Sequence, residues 1–287
     1  MFGPEQSTTK INTIEQKALD NVRSILNNPT NLTHQIPPLP TILLQLINLL
    51  KDENSEFNDI AEVIEKDPSL AIEVLRVANS ELYFNGTGEI TSLQKPVSLI
   101  GVTGIASISS TILLEKIRPV APIYYKIFGR QIWIHLMQCA FLCKALARNL
   151  QQDEFDAYFL GLIHDIGKII IFNCLCDALS ADLSGGTPET RAYKKLMSVM
   201  SSDISFLLQK NGDYLKYTAM PYTRTVMLTI ALGTLLYKGN LLSETYLLVK
   251  KKTLDESILD NLLGKLSVDK QICLDFVKLC PAIESGA

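Results

Sequence analysis

The chain is poor in histidine, in aromatic residues and in excess charge of either sign. Of its 287 residues only three are histidine and one is tryptophan, 7% are aromatic, and the formal net charge is −3. Because this balance supplies no basic face for a polyanion, we do not expect nucleic acid as a partner. No run of about 18 uncharged apolar residues occurs, so we predict neither a membrane span nor a membrane partner.

The six cysteines lack the spacing of a disulfide framework. Cys174 and Cys176 are separated by one residue, whereas a redox motif would have two between them. The first ten residues are polar and contain no apolar signal core. We therefore predict a cytoplasmic protein with reduced cysteines that pack in the core.

Apolar residues make up 47% of the chain and recur with helical rather than alternating periodicity. The fold class predicted is all-α. Helices are expected over 12–27, 41–51, from Phe57, 67–80, 97–117, 123–150, 154–176, 222–238, 241–250, 254–264 and 267–279. We divide the chain into an N-terminal helical extension (1–30), a helical domain (31–238) and a C-terminal helical extension (239–287). The apolar terminal helices are compatible with a homo-oligomer.

The most informative motif is the adjacent pair His164-Asp165 within an apolar helical run. On the preceding helix, His135 and Cys139 share one face, with Cys143 a further turn along. Together these residues could supply three or four ligands of mixed type to one divalent metal. The alternative is that His164 and Asp165 satisfy buried polar groups and join two helices by hydrogen bonds. Both interpretations stay open from the residues alone.

Other residues near the pair have less defined roles. Lys168 would share the helix face of the pair, where it could contact a phosphate oxygen or be a solvated helix residue. Asp203 or Asp213 could add a metal ligand, and nothing in the sequence distinguishes them. His34 lies in a polar loop, where we expect it to be exposed.

Four segments together resemble the HDOD domain, a relative of the HD-type metal-dependent phosphohydrolases. They are IPPLP (36–40), DPSLAIEVLRVANS (67–80), the stretch 93–101 that ends at a glycine, and GLIHDIG (161–167). The combined pattern, which extends over roughly 36–235, is far more specific than any one piece. The resemblance implies a helical bundle used in bacterial signalling and regulation.

The resemblance also implies metal ligands: His135 as the first, with His164 and Asp165 as the pair. Active relatives add histidine or aspartate ligands downstream, but this chain has no histidine after residue 164. HDOD proteins often keep a histidine pair after a Trp-x-Leu-Pro-like segment, for which the chain offers only Ala-Met-Pro-Tyr at 219–222.

The predicted function is therefore a non-catalytic signal-transduction or regulatory module that contacts other signalling proteins. No catalytic residue is assigned. No cofactor is expected apart from a divalent metal at a vestigial His135, His164 and Asp165 site. One alternative is a metal-dependent phosphohydrolase with a reduced site, acting on a nucleotide or cyclic dinucleotide. Another is a sensor that binds a nucleotide in the same pocket.

Overall fold

The computed structural model describes residues 11–27, 41–52, 54–80, 83, 84, 86, 88–115, 123–180, 198–201 and 222–286, which contain helices and no strand. The all-α prediction is confirmed. The predictions at His34, 36–40, Asp203, Asp213 and 219–221 lie outside the described residues. The helices are α1 (Thr13–Asn27), α2 (Thr41–Lys51), α3 (Phe57–Glu65), α4 (Pro68–Ala78), α5 (Gln94–Ile100), α6 (Val102–Glu115), α7 (Ile123–Asn149), α8 (Glu154–Ile163), α9 (Ile166–Ser180), α10 (Tyr222–Lys250), α11 (Ser257–Leu266) and α12 (Lys270–Gly286).

Helix α4 begins and ends where its sequence predicts. The Asp67 carboxylate accepts hydrogen bonds from the backbone N–H groups of Ser69 and Leu70, at 3.0 and 3.1 Å. Pro68 occupies the first turn, where its missing N–H costs nothing. At the other end, the Asn79 side chain accepts from Ile90 N–H at 2.7 Å and donates to Ile90 O at 2.9 Å. Asn79 therefore fastens the following loop to the end of the helix.

The apolar segment around residue 101 is broken as predicted, but at one glycine only. Gly101 has φ +78°, a conformation that side chains with a Cβ rarely adopt, and α5 and α6 meet there at 109°. Gly104, the other predicted interruption, lies inside α6.

The larger core surrounds α7, α8 and α9, where Trp133, Tyr158 and Phe172 are almost fully buried. Helix α1 packs on α9 and contributes Ala18 and Val22 to this core. A second cluster joins the C-terminal half of α7 to α10, α11 and α12. The N-terminal helix thus packs against α9, which follows the His-Asp pair, and the C-terminal helices pack against α7, which carries His135.

Helix α10 corrects one prediction. We expected separate helices over 222–238 and 241–250, but one helix runs through from Tyr222 to Lys250. Gly239 lies inside this helix, where the lack of a side chain allows α10 to pack closely on α7. A Cβ at this position would lie 3.0 Å from Cys143 Sγ and 3.5 Å from Cys139 O. The proposed limit at 238/239 falls inside this helix, and the division into domains stays a prediction.

One apolar stretch of the described residues, Glu154–Ala178, is long enough to cross a membrane by length and composition. The bent pair α5–α6 would make a second only if it counted as a single span. In the first stretch, 72% of the apolar window is buried inside the protein, as in a core helix. The cytoplasmic location stays a prediction.

Candidate metal centre

Two close helices bring the predicted site residues together. His135 and Cys139 lie one turn apart on α7, and His164-Asp165 forms the turn between α8 and α9. The helices approach at Gly161, where a Cβ would lie 2.7 Å from Ala140 Cα and 2.8 Å from Cys139 O. The His-Asp turn can therefore lie beside His135 because residue 161 has no side chain.

The ligand-type atoms of these residues converge. Asp165 Oδ2 lies 3.8 Å from His135 Nε2 and 3.5 Å from His164 Nε2. Cys139 Sγ lies 3.7 Å from His135 Nε2. Ligand atoms offered by His135, Cys139 and His164 all lie within 4.8 Å of one another. The structure thus brings together the residues that the sequence singled out, although their role as metal ligands stays a prediction.

The tautomer of His135 follows from a chain of hydrogen bonds. Its Nδ1 lies 3.0 Å from Ser243 Oγ, and that hydroxyl donates its only proton to Gln138 Oε1 at 2.9 Å. Ser243 must therefore accept from His135, which places the imidazole proton on Nδ1. His135 Nε2 is then an acceptor, which faces Asp165 Oδ2 at 3.8 Å and the Cys139 sulfur at 3.7 Å.

His164 has the same tautomer for a different reason. Its Nδ1 lies 2.8 Å from Gly161 O, and a carbonyl oxygen can only accept, so Nδ1 carries the proton. Its Nε2 is buried and has no hydrogen-bond partner among the described residues. Fixing one ring nitrogen by a hydrogen bond, so that the other is free, is the usual way in which metal-binding histidines are held.

The local electrostatics set the charge of each group. Burial is the largest cause that lowers the pKa of His135, to about 4, so this imidazole is neutral at pH 7. Burial alone would raise the pKa of Asp165, but neighbouring groups, among them the Lys168 ammonium in direct contact with the carboxylate, outweigh it and hold that pKa below its ordinary value. Burial raises the pKa of the Cys139 thiol well above its ordinary value. Without a metal, the centre holds a carboxylate and a neutral thiol.

Lys168 forms an ion pair with Asp165. It follows Asp165 by one turn, its ammonium contacts Asp165 Oδ2 directly, and 28% of its side chain is exposed. Lys168 is thus partly exposed and paired with Asp165, and its interpretation as a solvated helix residue stays a prediction. A contact between Lys168 and a phosphate stays a prediction.

The residues fit a single divalent ion. Metal–nitrogen and metal–oxygen bonds of about 2.1 Å at tetrahedral angles put ligand atoms about 3.4 Å apart, and a sulfur ligand about 3.6 Å from a nitrogen. The Asp165 separations of 3.5 and 3.8 Å are close to these values, whereas Cys139 Sγ, at 3.7 Å from His135 Nε2 and 3.9 Å from Nδ1, lies beside the ring. The orphaned His164 Nε2 points to the same conclusion.

Sequence reasoning missed the residues of α10 that complete the centre. Ser243 orients His135, and Asn240 Oδ1 lies 3.9 Å from Cys139 Sγ. Each lies more than 100 positions along the chain from the residue that it contacts, and no sequence spacing indicates either of them.

The comparisons with known proteins agree with this fold. The HDOD domain profile matches residues 36–211, more than half of the chain, so the chain belongs to the HDOD domain family. An uncharacterized protein of Treponema pallidum (strain Nichols) is 21% identical over 137 residues, 47% of this chain. The matched part spans only 26% of that relative's length.

Three solved structures share the fold at low sequence identity. A candidate metal-dependent phosphohydrolase from Shewanella amazonensis SB2B has a TM-score of 0.61 at 17% identity, with 96% of this chain and 99% of that one covered. An HDOD domain protein of unknown function from Geobacter sulfurreducens has a TM-score of 0.58 at 17% identity, with 93% and 97% covered. A candidate signal transduction protein from Marinobacter aquaeolei VT8 has a TM-score of 0.55 at 20% identity, with 97% and 66% covered.

Proposed function

We propose that this chain is a non-catalytic bacterial signal-transduction module, located in the cytoplasm, that acts through contacts with other signalling proteins. The observation that carries the proposal is the ion pair between Lys168 and Asp165. A cation supplied by the chain itself holds the carboxylate oxygen that a hydrolytic metal ion would need. The absence of any histidine after residue 164 supports the same conclusion.

The enclosure of the centre also favours a regulatory role. The side chains of His135, His164 and Asp165 are exposed by 5, 9 and 16%. A phosphoester must place its phosphorus next to the metal and an attacking water, so these residues offer it little surface. One structural neighbour, the Marinobacter protein, is described as a candidate signal transduction protein, in line with the proposal.

The test is genetic rescue with a site variant. In a strain lacking the gene, we expect the Asp165→Asn chain to restore the regulatory phenotype as fully as the wild type. The exchange keeps the shape of the side chain but removes the charge that a catalytic metal would need. Restored signalling should be accompanied by cross-linking to the same partner proteins in both strains. If Asp165→Asn accumulates in folded form and fails to restore the phenotype, the proposal is overturned.

A second function is favoured by one specific observation, the convergence of His135 Nε2, Asp165 Oδ2 and the unpartnered His164 Nε2. They suit a metal-dependent phosphohydrolase with a reduced site, in which His135, His164 and Asp165 hold the ion. A bound divalent ion would supply Lewis-acid activation of water and of a phosphoryl oxygen. Lys168 would then release Asp165 and contact the phosphate of a nucleotide or cyclic dinucleotide.

Purified protein separates the two functions. Mn²⁺, Fe²⁺, Mg²⁺ or Ni²⁺ is added with nucleotides, cyclic dinucleotides and a generic phosphoester, and phosphate or nucleotide release is measured. We expect no turnover above that of Asp165→Asn. Metal-dependent turnover that this variant abolishes would establish the hydrolase instead.

A further inference from the structure

We infer that Cys139 is a metal ligand of this chain, and that His135 Nε2, Cys139 Sγ and His164 Nε2 form a centre selective for Zn²⁺. The inference goes beyond the proposed function, because such a centre can stabilise a signalling module that hydrolyses nothing. It needs neither the ion pair of Lys168 nor any catalytic step.

The position of Cys139 is the first argument. It follows His135 by four residues on α7, so the two side chains share one helix face. Its sulfur is fully buried, 3.7 Å from His135 Nε2 and 3.9 Å from Nδ1. The sulfur thus lies beside the imidazole ring, and the inferred centre requires the Cys139 side chain to turn toward the point that the Nε2 lone pair faces.

His164 supplies an independent argument. Its side chain is 91% buried, and its Nε2 has no hydrogen-bond partner among the described residues. The hydrogen bond from Nδ1 to Gly161 O leaves a lone pair on Nε2. A buried acceptor without a donor is unfavourable unless something else binds it. A metal ion shared with His135 and Cys139, whose ligand atoms lie within 4.8 Å, would do so.

Cys143, a second cysteine of α7, provides a comparison because it is not inferred to be a metal ligand. It lies one turn beyond Cys139 and is equally buried. Its sulfur approaches Leu235 O at 3.7 Å, and it packs against Gly239. Among the described residues its sulfur contacts no imidazole, so core packing accounts for Cys143 but not for the convergence at Cys139.

The donor set determines which ion would bind. Mg²⁺ and Mn²⁺ prefer oxygen ligands, and the one carboxylate of the centre is held by Lys168. Two imidazole nitrogens and one sulfur suit Zn²⁺, which is commonly four-coordinate with such ligands. Binding converts the Cys139 thiol to a zinc-bound thiolate and releases its proton to solvent. Water, or Asp165 Oδ2 after Lys168 moves away, would complete the tetrahedron.

Cobalt substitution tests the sulfur ligand directly. The full chain, stripped with a chelator, is titrated with Co²⁺ while near-ultraviolet and visible absorption are recorded. We expect one equivalent to bind, with a thiolate-to-cobalt charge-transfer band and the intense visible bands of tetrahedral Co²⁺. The charge-transfer band should be lost in Cys139→Ser and retained in the matched control Cys143→Ser. It should also be retained in Asp165→Asn, because the sulfur ligand does not depend on that carboxylate.

Zinc affinity gives a second readout. In competition with a chromogenic chelator, Cys139→Ser should bind Zn²⁺ more than about 100-fold more weakly than the wild type, while Cys143→Ser should stay within a few-fold of it. Circular dichroism of the metal-free variants checks that each is folded, and Cys139→Ala serves if the serine variant is not. The inference is overturned if the wild type binds no metal, if its cobalt complex lacks the charge-transfer band, or if a folded Cys139 variant keeps wild-type zinc affinity. None of these results alters the rescue experiment with Asp165→Asn.

Discussion

Gly161 should be the least replaceable glycine of the described chain, because it lets α8 contact the backbone of α7. A Cβ at this position would lie 2.7 Å from Ala140 Cα, 2.8 Å from Ala140 N and 2.8 Å from Cys139 O. All three atoms belong to backbone, so no side-chain rotation can relieve the overlap. Restoring a carbon–carbon contact of about 3.5 Å requires the two helices to separate locally by about 0.8 Å.

The expected effect of Gly161→Ala combines two opposing contributions. Alanine inside a helix is about 1 kcal/mol more favourable than glycine. Overpacking of a close contact typically costs about 1–3 kcal/mol, and this site is at the upper end because backbone must move on both sides. We therefore expect a net loss of about 2 kcal/mol in the free energy of unfolding. The separation would also move the His164-Asp165 turn away from His135.

Gly233 provides the matched control. It lies inside α10, where a Cβ would meet nothing within 4 Å, so Gly233→Ala should stabilise the protein by about 1 kcal/mol. Urea denaturation followed by circular dichroism at 222 nm, a standard wavelength for helix content, measures both variants. If Gly161→Ala proves as stable as Gly233→Ala, the close approach of α7 and α8 described above is wrong.

Three further predictions concern the core thiols and two helix ends. Burial raises the pKa values of Cys174 and Cys176 to about 12, whereas the thiol of an unfolded chain has a pKa near 8.5. The two neutral thiols therefore contribute their full share to the stability of the folded state below pH 8.5, and this share is lost as the pH rises toward 12. Between pH 7.5 and 9.5 the free energy of unfolding of the wild type should thus fall by about 3 kcal/mol more than that of Cys174→Ala/Cys176→Ala. Urea denaturation at each pH measures this, and an equal pH dependence of the two proteins would contradict it. Asp67→Ala removes the cap of α4 and should cost about 1 kcal/mol, which an unchanged urea midpoint would refute. Asn79→Ala leaves the N–H and C=O of Ile90 without their partner and should cost about 2 kcal/mol, with faster amide exchange at Ile90; unchanged exchange there would refute this role of Asn79.

The parts of this fold that sequence predicts are those decided within one or two turns of helix. The start of α4 depends on Asp67 and Pro68, which are adjacent, and its end depends on Asn79. The shared face of His135 and Cys139 follows from their spacing alone. The neighbouring positions of His164 and Asp165 likewise need no tertiary information.

The parts that sequence misses are decided by contacts between distant segments. Separate helices were expected over 222–238 and 241–250, yet one helix, α10, runs through, and Gly239 lies where α10 packs closely on α7. Ser243, which fixes the tautomer of His135, carries no signal because serine in a helix is common and its partner lies 108 positions away. The pairing of Lys168 with Asp165 has the spacing of an ordinary surface ion pair, and only the surrounding core makes it part of the centre.

Burying polar side chains in an apolar core costs free energy, and hydrogen bonds within this centre compensate for part of that cost. Ser243 joins His135 to Gln138 and so connects α10 to α7 by directional bonds that apolar packing would not provide. Those bonds satisfy His135 Nδ1, and the Cys139 sulfur lies 3.7 Å from its Nε2, but His164 Nε2 has no hydrogen-bond partner among the described residues. An unsatisfied buried acceptor costs about 1–3 kcal/mol, so hydrogen bonding alone explains His135 better than His164. A metal ion bound by both imidazoles explains the two residues together, and it does so whether or not the chain has kept any catalytic activity.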